Sequence, residues 1–230
     1  MRLAEEQIDR VSETIGASQP FLVVMDRGYP STAAFIRMME KGVLFLVRLK
    51  LSDYKKEQAS LSFPDTWVDI RLDKSRINHY KGTDIGQRME ELGHITLRMV
   101  KVPLPEGKEE VLITNLPSET FDSRQIAELY HMRWGIETAY ETLKGHLQIE
   151  NFTGTRPVLL LQDIYSTTYV SNLAEDIIRD AEAELDEREK HRKHKMMVNR
   201  TLSIGILKND LIYILLETDA QKQDRLFQQI

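Results

Sequence analysis

The segment AELYHMRWGIETAYETLKGHLQIENF, residues 127–152, carries four side chains whose types suit phosphate and metal chemistry. They are Tyr130, Arg133, Glu137 and Lys144, at offsets of 3, 7 and 14 from the tyrosine. At about 100° per residue, an α-helix would bring these positions within roughly 60° of one another. The spacing therefore predicts a single polar stripe, about four turns long, on one helix.

Two interpretations of this stripe are open from the spacing alone. A carboxylate between two cations is common as a surface ion-pair ladder, although Glu137 and Lys144 are further apart than the usual i, i+4 pair. In the other interpretation Glu137 binds a metal ion, while Arg133, Lys144 and Tyr130 hold a phosphate chain.

The elements that would position such a site begin with two apolar runs near the amino terminus. FLVVM (21–25) and VLFLVRL (43–49) are typical of strands buried on both faces. Between them, Pro30 and Ser31 open a helix that Gly42 closes. Strand, helix and strand with short connections predict a βαβ unit with parallel pairing, in which the first strand ends at Asp26.

The rest of the chain changes character twice. Alternating segments such as WVDIRL and HITLRMVKV predict antiparallel strands, and PLPEGKEE predicts a hairpin turn before VLITNL. Asp122 and Gln125 then form a capping box that opens the helix of the polar stripe. These patterns divide the chain into four predicted segments, at residues 1–50, 51–116, 117–155 and 156–230.

The composition limits the classes of function. With 230 residues and 41% hydrophobic residues the chain can bury a core. A net charge of −5 and a pI near 5.8 argue against a uniformly basic nucleic-acid binder, but a local basic patch is compatible with them. The sequence has no cysteine, and no apolar run is long enough for a membrane span. We expect a soluble intracellular protein with no membrane partner.

The polar stripe also spells Tyr, two residues, Arg, three residues, Glu, six residues, Lys. This resembles the YREK signature of bacterial insertion-sequence transposases of the "insertion sequence four" family, which are DDE enzymes. The flanking segments LITNL, LYHMRWGIE and ENFTG agree, and VVMDRGYPS resembles the segment in which the second catalytic aspartate ends a core strand. The resemblance spans most of residues 20–155 and is most specific across 127–154.

The resemblance implies an α/β fold: a ribonuclease-H-like core with a mixed sheet and helices, a β-rich insertion and a carboxy-terminal helical region. In these terms residues 1–50 are a remnant of the core that carries the second aspartate, 51–116 are the insertion, 117–155 the core helix and 156–230 the helical region. It implies Asp26 and Glu137 as catalytic metal ligands for Mg²⁺ or Mn²⁺, with two ions in the complete enzyme. Tyr130, Arg133 and Lys144 would contact the DNA backbone. Arg27 is a weaker candidate for the same role, and Trp134 would either stack on a base or be buried.

The implied activity is endonuclease cleavage and strand transfer at the element ends, which is DNA recombination by transposition. The implied partners are double-stranded DNA at the transposon ends and a second copy of the chain in a DNA-bound homodimer. The resemblance implies a bacterial cytoplasmic protein that associates with the nucleoid when bound to DNA.

One departure from the family concerns the acidic residues. A DDE enzyme needs three carboxylates, the first of them on the first core strand. Only 25 residues precede Asp26, and their acidic residues (Glu5, Glu6, Asp9 and Glu13) lie in a helical segment. We therefore expect that the first core strands and the first aspartate are missing, and that this chain alone cleaves little or no DNA. The alternative function is a catalytically dead DNA-binding or dimerising derivative that inhibits the full-length transposase.

Overall fold

The computed structural model describes residues 2–15, 19–104, 107–188 and 197–227. The chain forms two compact units, Met1–Arg133 and Trp134–Ile230. The first contains the sheet and the second contains only helices among its described residues.

The first unit is built on one five-stranded mixed sheet. Its strands are β1 (Leu22–Met25), β2 (Leu44–Leu49), β3 (Asp65–Arg71), β4 (His94–Pro103) and β5 (Glu109–Thr114). The order across the sheet is β1-β2-β5-β4-β3, with β1 parallel to β2 and the other neighbours antiparallel. The last strand in sequence therefore lies at the centre of the sheet, between β2 and β4.

The described residues of this unit form six α-helices. They are α1 (Arg2–Ile15), α2 (Thr32–Glu40), α3 (Lys55–Ala59), α4 (Lys74–Ile77), α5 (Asp84–Leu92) and α6 (Ser123–His131). Helix α2 begins where the Ser31 side chain accepts a hydrogen bond from the Ala34 amide, and the chain turns away at Gly42 with φ of +67°. Only glycine adopts this left-handed backbone at little cost.

Two hydrophobic clusters cover the two faces of the sheet, as the continuous apolar runs predict. On one face, residues of β2, β4 and β5 pack against α2 and α5, and the rings of Phe35 and Phe45 stack 4.9 Å apart. On the other face, Leu46, Val100 and Leu112 pack against Ile126 and Tyr130 of α6. This second cluster fixes α6 on the sheet, and with it the residues at the end of α6.

The second unit is helical. Its α-helices are α7 (Gly135–Glu141), α8 (Pro157–Arg188), α9 (Arg200–Leu216) and α10 (Ala220–Phe227). Leu147, Ala174, Ile204 and Leu207 are buried together between α8, α9 and the segment after α7. None of the described helices combines the length and apolar composition that a membrane crossing requires.

The predicted fold class is confirmed as an α/β sheet with helices and a carboxy-terminal helical region, consistent with the ribonuclease-H-like core that the resemblance implies. Both parallel strands, the antiparallel segments and the α6 capping box are also found. The short helices α3, α4 and α5 were not predicted from the sequence patterns. In the predicted hairpin turn, Pro105 and Glu106 lie outside the described residues.

The prediction of one continuous α-helix under the polar stripe is wrong. After α6 come a 3₁₀ turn (Met132–Trp134), helix α7 and a π-helical turn (Thr142–His146). Gly135 begins α7 and Gly145 lies in the π turn, and glycine is a poor former of regular helix. The four polar residues consequently occupy four different local elements. A uniform rotation of about 100° per residue therefore does not describe the directions of their side chains.

Candidate active site

Asp26 follows the last residue of β1, at the carboxyl end of the two parallel strands. The backbone turns there, and the amide of Tyr29 bonds to the Asp26 carbonyl at 3.1 Å. The amide of Arg27 donates to the side-chain oxygen Oδ1 of Asp26 at 2.7 Å, while the Arg27 side chain is exposed. The turn therefore holds the half-buried carboxylate in one orientation.

Tyr130 reaches the same carboxylate from α6. The helix starts at the capping box, in which the Asp122 side chain accepts from the Gln125 amide at 2.8 Å and the Gln125 side chain accepts from the Asp122 amide at 2.9 Å. Ile126 and Tyr130 are then buried on the sheet, and the phenol donates to Oδ1 of Asp26 at 3.2 Å.

Arg98 anchors the segment that leads into α6. Its guanidinium is 1% exposed and makes a two-point pair with Asp65, with N–O distances of 2.7 Å and 2.5 Å. A third nitrogen atom donates to the carbonyl of Phe121 at 2.7 Å, just before the α6 cap. Arg98 thus ties β3 and β4 to the start of the helix that carries Tyr130.

Arg133, at the end of the first unit, adds a positive charge near Asp26. Its guanidinium lies 5.7 Å from the centre of the Tyr130 ring, within the range of a cation–π contact. Burial raises the pKa of the Asp26 carboxyl, but the Arg27 amide, the positive charge of Arg133 and the Tyr130 hydrogen bond outweigh it. The net effect lowers the pKa, so the carboxylate is ionised at neutral pH.

The Tyr130 phenol is shifted in the opposite direction. Burial and the negative charge of Asp26 raise its pKa, and the positive charges of Arg133 and Arg48 oppose that rise. The hydroxyl therefore keeps its proton at neutral pH and remains a donor to Asp26.

Two further charged residues, which are not among the site residues predicted from the sequence, lie near Asp26. Arg48, near the end of β2, pairs with Glu110 of β5, with Nε and Oε2 3.1 Å apart. The position of Arg48 at the end of an apolar strand is a signal that could have identified it, because Asp26 holds the matching place after β1. For Glu110 the sequence carries no comparable signal, because its proximity to Asp26 depends on the order of strands in the sheet.

The second unit holds three predicted site residues. Glu137, on α7, has an exposed side chain, and Lys144 in the π turn pairs with Glu150 at 3.0 Å. Trp134 is 49% exposed, so the alternative of a buried aromatic does not hold. Asp26, Tyr130 and Arg133 are brought together within the first unit, whereas the predicted meeting of Asp26 with Glu137 remains a prediction.

The donor chemistry at Asp26 suits a divalent cation. An ionised, half-buried carboxylate is the kind of oxygen ligand that Mg²⁺ and Mn²⁺ bind. Across the described part of the chain, no three His, Cys, Asp or Glu side chains form a group that could hold a metal ion. Asp26 can therefore supply one carboxylate ligand to a divalent cation, and a complete metal site needs further ligands.

Comparison with known proteins gives one consistent result. The family model described as "Transposase DDE domain" matches residues 2–173. The putative transposase InsL for insertion sequence element IS186A of Escherichia coli K12 is 24% identical over 156 residues. The transposase for insertion sequence element IS421 of Escherichia coli has the same identity over the same length. Each alignment covers 63% of this chain and 38% of the relative, so the chain spans well under half the length of these relatives.

Proposed function

Since this chain belongs to the transposase DDE domain family, we propose that it acts on DNA at insertion-sequence ends, by metal-dependent phosphodiester cleavage and strand transfer. The DNA-bound form would be a homodimer. The observation that carries the proposal is the Asp26 carboxylate, held ionised at the end of β1 by the Arg27 amide and by Tyr130.

In this proposal Asp26 and Glu137 hold Mg²⁺ or Mn²⁺. Such ions stabilise the charge that develops on the attacking and leaving oxygens in phosphoryl transfer. The protein's own contribution is orientation: the Arg27 amide and Tyr130 fix Asp26, while Tyr130 keeps its proton and stays neutral beside the DNA strand.

Arg133 and Lys144 would bind backbone phosphates, with Arg27 and Trp134 as additional contacts on exposed surface. Cation–phosphate contacts give sequence-independent affinity that weakens as salt rises, with a slope of about 0.9 per phosphate neutralised. The YREK subfamily assignment is part of this proposal, because it supplies the roles of the four residues.

The test uses this chain with duplex DNA and supercoiled plasmid. We expect salt-dependent binding that Arg133→Ala and Lys144→Ala each weaken, with the salt slope falling by about 0.9. Arg124→Ala and Lys222→Ala remove exposed cations from the same two units and serve as controls. Wild-type chain that binds no duplex would overturn the proposal.

Residual nicking of plasmid with Mg²⁺ or Mn²⁺ tests the metal ligands, and we expect it to be weak because the resemblance assigns only two of the family's three carboxylates in this chain. Asp26→Asn and Glu137→Gln are expected to remove nicking while leaving duplex binding in place. Nicking that survives either substitution would exclude that residue as a metal ligand.

A second candidate function is a non-catalytic derivative that binds DNA and inhibits a full-length transposase. The count of assigned carboxylates favours it: the family chemistry uses three, and the resemblance assigns two of them in this chain, Asp26 and Glu137. Duplex binding without nicking by the wild-type chain would select this candidate over the enzyme.

A further inference from the structure

Strand pairing brings Arg48 and Glu110 to the same end of the sheet as Asp26. In the parallel pair, Met25 is opposite Val47, so Asp26 and Arg48 are the next residues on adjacent strands. In the antiparallel pair, Arg48 is opposite Leu112, two residues after Glu110. Because side chains alternate along a strand, Glu110 and Leu112 share the face on which Arg48 lies.

The contact between Arg48 and Glu110 is specific and largely shielded from water. Nε of Arg48 lies 3.1 Å from Oε2 of Glu110, and the two side chains are 27% and 10% exposed. A shielded carboxylate loses much of its hydration and needs a charged partner to compensate. Glu110 therefore holds the guanidinium firmly, unlike the exposed ion pairs on this protein's surface.

Asp26 interacts electrostatically with both members of the Arg48–Glu110 pair. Burial raises the pKa of Glu110 and the negative charge of Asp26 raises it further, against the positive charges of Arg48 and Arg133. The charge of Arg48 also lowers the pKa of Asp26. Arg48 thus lies in the field of two carboxylates, one of which is the proposed metal ligand.

We propose that Glu110 is a positioning residue that holds Arg48 at the Asp26 end of the sheet, where the guanidinium binds a phosphate of the DNA strand. A guanidinium carries five N–H donors in a rigid plane, so it can bond a carboxylate through Nε and a phosphate through its terminal nitrogens. The inference rests on the proposed function and adds one DNA-contacting residue, Arg48, together with the residue that positions it.

The first test is a double-mutant cycle on binding of a short fluorescein-labelled duplex. Glu110→Asp keeps the charge but shortens the side chain, and we expect it to weaken binding about fivefold, the size of one coupled contact. Arg48→Met is expected to weaken binding similarly and to lower the salt slope by about 0.9. In the Arg48→Met background, Glu110→Asp should have no further effect.

The matched control is Glu109→Gln, one residue away on the exposed side of β5. If Glu110 affected DNA only through its charge, Glu109→Gln and Glu110→Gln would change affinity alike, whereas the positioning role requires them to differ. Losses that add fully in the double variant would show that Glu110 acts independently of Arg48, which overturns the inference.

A second readout needs no DNA. The Nε–H of Arg48 should give a distinct, slowly exchanging NMR signal in the wild type and in Glu109→Gln, and should lose protection in Glu110→Asp and Glu110→Gln. A wild-type signal that exchanges as fast as that of an exposed arginine overturns the inference even if a Glu110 variant fails to fold.

If the wild type binds duplex and Arg133→Ala weakens the binding while Glu110→Asp has no effect, the inference fails and the proposed function stands. No duplex binding by the wild type overturns both.

Discussion

The phenol of Tyr130 donates a hydrogen bond to Oδ1 of Asp26 at 3.2 Å, joining residues 104 positions apart in the chain. The bond connects the end of β1 to the end of α6. It is the contact through which the residues that resemble the family signature meet the strand that carries the acid.

Tyr130→Phe removes this donor and keeps the ring. We expect the pKa of Asp26 to rise, because one of the interactions that lower it is lost. A carboxyl with a lowered folded-state pKa stabilises the fold above its unfolded pKa, near 3.8, and that contribution is lost as pH falls.

Carbon-13 NMR titration of the Asp26 carboxyl measures the shift in its pKa. Chemical denaturation of Tyr130→Phe should show that the free energy of unfolding falls by about 1 kcal/mol at neutral pH. Tyr140→Phe, on an exposed ring of α7, is the control; equal Asp26 titrations in both variants would contradict the expectation.

Arg98→Met breaks the buried contact between the sheet and the segment before α6. The substitution leaves Asp65 and the Phe121 carbonyl without the guanidinium that both bond. Breaking such a pair costs about 3 kcal/mol or more, measured as a shift in the urea midpoint. Hydrogen exchange of the α6 amides should accelerate as well.

The control for Arg98→Met is Arg124→Met, whose side chain is 86% exposed and whose ion pair with Glu128 contributes about 0.5 kcal/mol or less. The double variant Arg98→Met, Asp65→Leu should recover part of the loss, because it leaves no unpaired carboxylate. Equal midpoints for the two single variants would show that Arg98 does not anchor α6.

Asn115→Asp tests the side-chain hydrogen bonds that join the residue after β5 to the backbone at the start of β2. The Asn115 amide accepts from the Phe45 N–H at 2.8 Å and donates to the Val43 carbonyl at 2.9 Å. An aspartate has the same shape, but its carboxylate would face the Val43 carbonyl without a donor, at a cost of about 1–3 kcal/mol. Acid should reduce the penalty, since a protonated carboxyl donates again. Thermal unfolding at neutral and acidic pH measures this, with Asn78→Asp on the exposed surface as the control.

Tyr54 predicts a stability change in alkaline solution. Burial raises its pKa to about 12 from an ordinary 10.0, although the hydrogen bond with Thr32, 2.8 Å long, acts in the opposite direction. The folded state holds the proton more tightly, so this stabilisation is complete below pH 10 and is lost as pH rises toward 12. We expect the free energy of unfolding to fall by up to roughly 2–3 kcal/mol across that window. The fall should be smaller in Tyr54→Phe and unchanged in Tyr29→Phe, whose ring is exposed.

Local patterns were sufficient to predict the elements that position the site. The apolar run before Asp26 predicts a buried strand, and the Asp122 and Gln125 pair predicts the start of α6. Helix α5 was missed although its signals are present: Thr83 caps it, and Gly93 ends it with φ of +67°. Helix α3 buries none of its residues, so it has no apolar stripe to detect.

The neighbours of Asp26 could not be predicted in the same way. Glu110 lies there because β5 pairs with β2, and strand order depends on long-range packing that periodicity does not encode. The directions of the Glu137 and Lys144 side chains depend on a 3₁₀ turn and a π turn. These turns differ from an α-helix in hydrogen-bond register and in residues per turn, and the apolar pattern of the sequence does not distinguish them.

The central place of β5 has a consequence for synthesis on the ribosome. A nascent chain that has exposed β1 and β2 still lacks the strand that pairs with β2 on its other side, more than 60 residues downstream. Sheets that depend on such distant partners form slowly, because the entropy of loop closure is lost before strand pairing contributes favourable free energy. We therefore expect the acid after β1 to acquire its tyrosine partner only after translation has passed α6. Pulse-labelled stalled chains of increasing length would show protection of the β2 amides appearing only once β5 has emerged, and earlier protection would contradict this order.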